Sequence, residues 1–204
     1  MNIAVLGTGS VGRAIAGRLH ELGHHVTVGT RDPHATLART EPDASGTAPF
    51  ATWRADRPGV ALATYSDAAA GAENLSGKPL VDISNPLDGS KGFPPTLFVK
   101  DTDSLGEQVQ REFPSAKVVK TLNTLTADLM VHPQALGAST TVFVSGDDAG
   151  AKATVTELLT SFGHDDVIDL GGIETARGPE MWLPIWLRLM GALGTAQFNL
   201  KIVR

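Results

Sequence analysis

The sequence predicts an α/β fold of the Rossmann type: a doubly wound, mostly parallel sheet with a small helical extension at the C-terminus. Three observations carry this. Short apolar runs alternate with helix-periodic segments along all 204 residues. The first run leads into a glycine-rich turn, Gly7-Thr8-Gly9-Ser10-Val11-Gly12, that opens a helix. No repeat or low-complexity tract interrupts the alternation. The chain reads as one domain, 1–204, with 175–204 a C-terminal helical segment.

Residues 3–7 (IAVLG) form an apolar run bounded by glycine, the pattern of a buried parallel strand. Val11, Ile15, Leu19 and Leu22 recur at helical spacing until Gly23 stops the helix, and VTVGT supplies a second strand over 26–30. Asp32-Pro33 is a capping pair for a short helix to Arg39, followed by a loop of small residues and a helix near Phe50–Asp56. Further strands are expected at VALAT (60–64), PLVDIS (79–84), KVVKTL (117–122), TTVFVSG (140–146) and DVIDLGG (166–172). Ser104 and Glu107 form a capping box for a helix to Phe113, Asp147-Asp148 start a helix that Gly163 ends, and an apolar helix runs from Pro179. The stretch LDGSKGFPPTLFVKDTD reads as a long loop, and loops of that length are often functional.

Composition removes several classes of function. Seventeen Lys+Arg against 22 Asp+Glu give a net charge of −5 with no basic run, so nucleic acid is a poor partner. The absence of cysteine excludes disulfides, thiolate zinc sites and cysteine nucleophiles, and fits a cytoplasmic protein. MNIAVLG is too short for a secretory h-region, and the apolar stretch Met181 to Leu193 is shorter than a bilayer span and contains Pro184 and Arg188. No membrane partner is therefore expected. His24-His25 lacks further ligands and reads as solvated, so no metal site is expected; His132-Pro133 reads as a helix terminator. Trp182 and Trp186 read as packing or subunit interface.

The chemistry lies in the first βαβ unit. Gly7 allows a tight turn, Gly9 lets backbone approach a pyrophosphate resting on helix N–H groups, and Gly12 lets helix and strand pack closely. In NAD-binding units an acidic residue at the end of the second strand holds the ribose diol, whereas an Arg accommodates a 2′-phosphate. Here Thr30 lies 18 residues after Gly12, and Arg31 follows. A hydroxyl and a guanidinium suit a phosphate, and Asp32 is engaged as a helix cap, so NADP(H) is expected. The alternative is Arg31 as a solvated surface charge. Ligands of open α/β sheets bind beyond the strands' carboxyl ends, which gathers Gly7 to Gly12, Thr30, Arg31, Ser84, Asn85, Leu122, Asn123 and Thr124 around one crevice.

VLGTGSVG, VGTRDP, VDISNPL, KTLNT, VFVSGDD and WLRLMGALG, in this order and spacing, closely resemble the NADPH-dependent coenzyme F-420 reductase-like family, over nearly the whole chain. The resemblance implies hydride transfer between C4 of a nicotinamide and C5 of a deazaflavin or another flat acceptor, with positioning more important than acid–base groups. It places Thr8, Ser10 and Val11 on the pyrophosphate, Thr30 and Arg31 on the 2′-phosphate, and Asn85-Pro86 with Asn123-Thr124 at the nicotinamide and acceptor. Cofactor contacts are thus Gly7 to Gly12, Thr30, Arg31, Ser84, Asn85 and Asn123, with no catalytic acid or base named. It also implies a homodimer with the C-terminal helices near the interface.

The chain departs from the family in one place. Between DAAAGAENL and PLVDIS, relatives usually carry a further apolar strand and helix of on the order of 20 residues, absent here. Either PLVDIS takes the place beside strand one, or a bound cofactor misses the loop over its ribose. The functional alternatives are a non-catalytic NADP-binding protein and a reductase of small imines or ketones, for which Lys120 is the best available proton donor.

Overall fold

Branched apolar residues at alternate positions of 2–6 and 25–30 favour extended chain, and the intervening run of helix formers favours a crossover. In the computed structural model these segments are strand β1 (Asn2–Leu6), helix α1 (Ser10–Glu21) and strand β2 (His25–Thr30). The structure describes residues 1–43, 46–69 and 72–204, the side chains of 72 and 73 excepted. The chain divides into two compact units, Met1–Asn74 and Leu75–Arg204.

The first unit continues with α2 (Pro33–Ala38), α3 (Phe50–Ala55), β3 (Ala61–Thr64) and α4 (Tyr65–Ala69). Its three strands are parallel in the order β1-β2-β3, with Leu6 opposite Gly29 and Thr30 opposite Thr64 at their carboxyl ends. Ala16, Leu19, Val26, Val28, Phe50 and Val60 form the buried apolar set. Glycine is required at one point above all. A Cβ on Gly12 would stand 2.2 Å from the Gly7 carbonyl oxygen, so only a bare Cα lets α1 approach β1 so closely.

In the second unit come β4 (Pro79–Asp82), β5 (Leu87–Asp88), β6 (Thr96–Leu97), α5 (Leu105–Glu112), β7 (Lys117–Lys120), α6 (Ala127–Val131), β8 (Thr141–Ser145), α7 (Ala149–Phe162), β9 (Asp166–Gly171), α8 (Arg177–Met181) and α9 (Leu183–Leu193). The sheet order is β4-β7-β8-β9, with β4/β7 and β8/β9 parallel and β7/β8 antiparallel at Lys120 and Ser145. Val118, Val119, Val142, Val144, Val155, Leu159 and Phe162 are buried. Helix α7 is bounded as the sequence predicts: Asp148 accepts from the Ala151 N–H at 2.7 Å, and Gly163 ends it at φ +108°.

The α/β Rossmann-like class with mostly parallel strands holds, and several details differ from expectation. PLVD pairs with KVVK in the second unit's sheet. Strand β1 pairs with β2 and is less buried than predicted, with Leu6 51% exposed. The long loop contains the β5/β6 hairpin, closed by Asp88 opposite Thr96 and by the Phe98 N–H to the Pro86 carbonyl at 2.9 Å. DAAAGAENL begins as α4 and ends in a 3₁₀ turn, Ala72–Leu75, while Ala70 and Gly71 lie outside the described residues. The C-terminal helix is two helices, because Pro184 sits in the first turn of α9 where it needs no hydrogen-bond partner. Among the described residues no helix is long and apolar enough to cross a membrane.

Residues 195–204 have no regular structure, and Asn199, Leu200 and Ile202 bond to Thr141 at the start of β8. The Thr141 N–H donates to the Leu200 carbonyl at 3.0 Å and the Ile202 N–H to Thr141 Oγ1 at 2.9 Å. Asp166 anchors this tail, accepting from Lys201 at 2.8 Å, Thr141 at 2.5 Å and Arg204 at 2.9 Å. The Lys201 contact first, then the Thr141 hydroxyl and Arg204, lowers the Asp166 carboxyl to a pKa of about 2.

Two outcomes follow from this packing. Gly12→Ala forces a methyl against backbone and is expected to destabilise the protein by about 3 kcal/mol or more, read as a lowered urea midpoint. Because the Asp166 carboxyl is depressed in the folded protein, the tail's anchoring is complete above the ordinary carboxylate range and is lost as pH falls from about 4 towards 2. Tail amide resonances should titrate across that window in the wild type and be already displaced at pH 7 in Asp166→Asn.

Candidate cofactor site and acceptor-side residues

The turn between β1 and α1 is built to leave donors free. Gly7 adopts φ +125° and donates its N–H to the Gly29 carbonyl at 3.0 Å, fixing the turn to the end of β2. Gly9 is the N-cap of α1, so no side chain caps the helix, and its first turn holds no acidic residue. A Cβ at Gly9 would meet nothing within 4 Å, so the space over the helix start is open. An anion there would meet backbone N–H groups and the positive end of the helix dipole. Ser10 is exposed, with Thr8 and Val11 half-buried beside it.

Sequence reasoning missed Arg13. It is only 6% exposed, donates from Nε to the Thr8 carbonyl at 2.7 Å and from Nη1 to the Ala48 carbonyl, and lies 5.5 Å from the centre of the Phe50 ring. Burial lowers its pKa, opposed by Asp43. The row continues through Phe50 against Trp53 at 5.2 Å to Arg57 over Trp53 at 5.0 Å. The available signal was its position one residue beyond Gly12, on the turn rather than on the apolar face.

At the end of β2, Thr30 is buried and its hydroxyl lies 2.9 Å from that of Thr36. Asp32 accepts from the Ala35 N–H at 3.0 Å as the N-cap of α2, so it is engaged away from any ribose, as its Asp-Pro context predicts. Arg31 is exposed and has no hydrogen-bond or ionic partner among the described residues. A free guanidinium beside a threonine hydroxyl, without an acid turned outward, fits a 2′-phosphate and not a ribose diol.

The remaining predicted residues lie in the second unit. Leu122 adopts φ +57°, a strained turn after β7 that accepts the Leu125 N–H at 3.1 Å. It carries the chain so that Asn85 and Asn123 bond each other: Asn85 Nδ2 to the Asn123 carbonyl at 2.9 Å and Asn123 Nδ2 to Asn85 Oδ1 at 3.0 Å. Asn123 Nδ2 also donates to the Pro179 carbonyl at 3.0 Å. Pro86 and Thr124 are buried beside them, and the Ser84 hydroxyl donates to Asp82 at 2.5 Å.

Lys120 is not available as a proton donor. Its side chain is 0% exposed and donates to Asp82 at 2.9 Å, the Ser84 carbonyl at 2.7 Å and Glu180 at 2.8 Å, which uses all three ammonium protons. Glu180 also accepts from the Leu105 and Gly106 N–H groups at the start of α5. Arg177 grips Glu107 with two bonds, at 2.8 and 2.5 Å, and this pairing with Arg177 holds the Glu107 carboxyl below its ordinary range. Lys120→Met would leave two buried carboxylates without their cation and is expected to destabilise by about 3–5 kcal/mol in urea titration. Neutralising all three groups (Asp82→Asn, Lys120→Met, Glu180→Gln) should recover most of that loss.

A glycine turn opening an uncapped helix fits a Rossmann-type nucleotide-binding unit, and the proteins that this chain resembles make it an NADP-dependent oxidoreductase. The profile of the family described as NADP oxidoreductase, coenzyme F420-dependent, matches residues 2–86. A crystal structure of a candidate F420-dependent NADP reductase from Arthrobacter sp. FB24 is 59% identical, covers 98% of each chain and superposes with a TM-score of 0.93. The chain belongs to this family. A hypothetical protein from Sinorhizobium meliloti is 25% identical over 86% of this chain and 87% of its own, with a TM-score of 0.63. The metalloreductase STEAP3 of Rattus norvegicus is 30% identical over 194 residues, 90% of this chain; the chain spans 37% of that protein's length.

Proposed function

We propose that the protein transfers a hydride from NADPH to a deazaflavin of the coenzyme F420 type, or to a similarly flat acceptor. The observation that carries this is Arg31, whose guanidinium, next to Thr30 at the end of β2, has no partner among the described residues, together with the family's description. NADP(H), when bound, supplies the hydride at nicotinamide C4. The chain's own residues bind and orient it. Gly7, Thr8, Gly9, Ser10, Val11 and Gly12 form the turn for the pyrophosphate, and Thr30 with Arg31 takes the 2′-phosphate.

The acceptor side is assigned to Ser84, Asn85, Pro86, Asn123 and Thr124. In the observed pair, Asn123 Oδ1 and the second Asn85 Nδ2 proton have no protein partner among the described residues, an acceptor and a donor that complement a primary carboxamide. Direct hydride transfer needs no general acid, which agrees with a Lys120 whose protons are all engaged. Two copies are proposed to meet through the apolar stripe that exposes Met181, Ile185 and Leu193, in a cytoplasmic protein without cysteine.

Stopped-flow mixing of NADPH with an oxidised deazaflavin should bleach the acceptor's visible absorbance. Turnover with a ferric chelate but with no flavin or deazaflavin would overturn the acceptor class. Arg31→Ala should weaken NADPH by roughly 1.5–3 kcal/mol and leave NADH nearly unchanged in fluorescence titrations. Equal losses for both cofactors would remove Arg31 from the phosphate site.

A further inference from the structure

We infer that Arg13 is a positioning residue for cofactor binding: it locks the Thr8–Gly9 peptide in the orientation that presents the Gly9 N–H to the pyrophosphate. A trans peptide unit is planar, with its C=O and N–H pointing in opposite directions. Arg13 Nε holds the Thr8 carbonyl at 2.7 Å on the protein side, so the Gly9 N–H of the same plane must point the other way. That N–H has no partner among the described residues, and the space beyond Gly9 is open.

The lock is needed because of the residues on either side. Glycine at positions 7 and 9 leaves the backbone torsions of the turn poorly determined by sterics, so the peptide between them can rotate unless something holds it. A flipped Thr8–Gly9 peptide would aim a carbonyl oxygen at the incoming phosphates. Arg13 is itself held by its bond to the Ala48 carbonyl, by the Phe50 ring and by 6% exposure, so it has few rotamers to sample. Its role differs from that of Arg31: it touches no ligand and takes no part in choosing NADPH over NADH.

This inference rests on the placement of the pyrophosphate on the Gly7–Gly12 turn. The test compares affinities for NADPH, NADH and 2′-AMP, the last lacking a pyrophosphate, in the wild type, Arg13→Met and Arg13→Lys. Methionine keeps an unbranched chain against Phe50 and removes the donors; lysine keeps one donor able to reach a carbonyl. Arg13→Met is expected to weaken NADPH and NADH by the same factor, about 10- to 100-fold, with 2′-AMP unchanged. Arg13→Lys should recover part of the loss, and it gives the decisive comparison should the methionine variant not fold. Parallel loss of 2′-AMP and NADPH would mean that Arg13 only supports the fold, and unchanged NADPH affinity would mean that the peptide needs no lock; either overturns the inference. If the wild type itself bound NADPH no better than 2′-AMP, the pyrophosphate site would fall first, an outcome visible without any variant.

Discussion

A methyl group at residue 12 would lie 2.2 Å from the Gly7 carbonyl oxygen, so α1 meets β1 at this point only because its third residue has no side chain. The close approach fixes where the helix begins relative to the strand. It also brings Arg13, the next residue, within reach of the Thr8 carbonyl. Beside it, Gly7 turns at positive φ, and Gly9 leaves the helix start uncapped with open space over it. The donors left over at the helix start are what an anionic cofactor requires.

The second unit solves a different problem, that of holding irregular chain in a fixed place. Asp82 and Glu180 share one ammonium, which leaves a surplus negative charge in the interior. Glu180 also faces the N–H groups of Leu105 and Gly106, where the dipole of α5 offsets part of that surplus. The same cation holds the Ser84 carbonyl, one residue before Asn85, and Glu180 adjoins Pro179, whose carbonyl holds Asn123. Both supports of the paired amides therefore lead back to Lys120. Buried ion pairs are weak sources of net stability, but losing one partner leaves an expensive charge behind, so the arrangement tolerates few alternatives.

Local chemistry was legible in the sequence and distant pairing was not. Asp32 before proline announces a helix cap, Ser104 with Glu107 a capping box and Gly163 a helix end, because each acts within four residues of itself. Strand identity was readable from apolar runs, whereas the partner of PLVD was not, since hydrophobicity marks a strand as buried without saying beside what. Lys120 and Glu180 lie sixty residues apart, so nothing in either segment reveals that a lysine within KVVK is neutralised from α8. Arg13 was missed because a charged residue in an amphipathic helix ordinarily reads as solvated, and here two backbone carbonyls and the Phe50 ring hold it in a buried place.

The two arginines of the first unit show why a free and a bound guanidinium suit different tasks. For a cation to take up a phosphate it must give up whatever it already holds, so a paired arginine would bind ligand only by the difference between two interactions. Arg31, exposed and without a partner among the described residues, would give up only water and side-chain freedom, leaving most of a charge-assisted bond as net affinity for the proposed 2′-phosphate. Arg13 has the opposite properties: burial and two carbonyl bonds make it a poor ligand and a good brace. On the proposed reading, discrimination between NADPH and NADH falls to the arginine that the fold leaves free, and binding of the part common to both depends on the arginine that the fold has used.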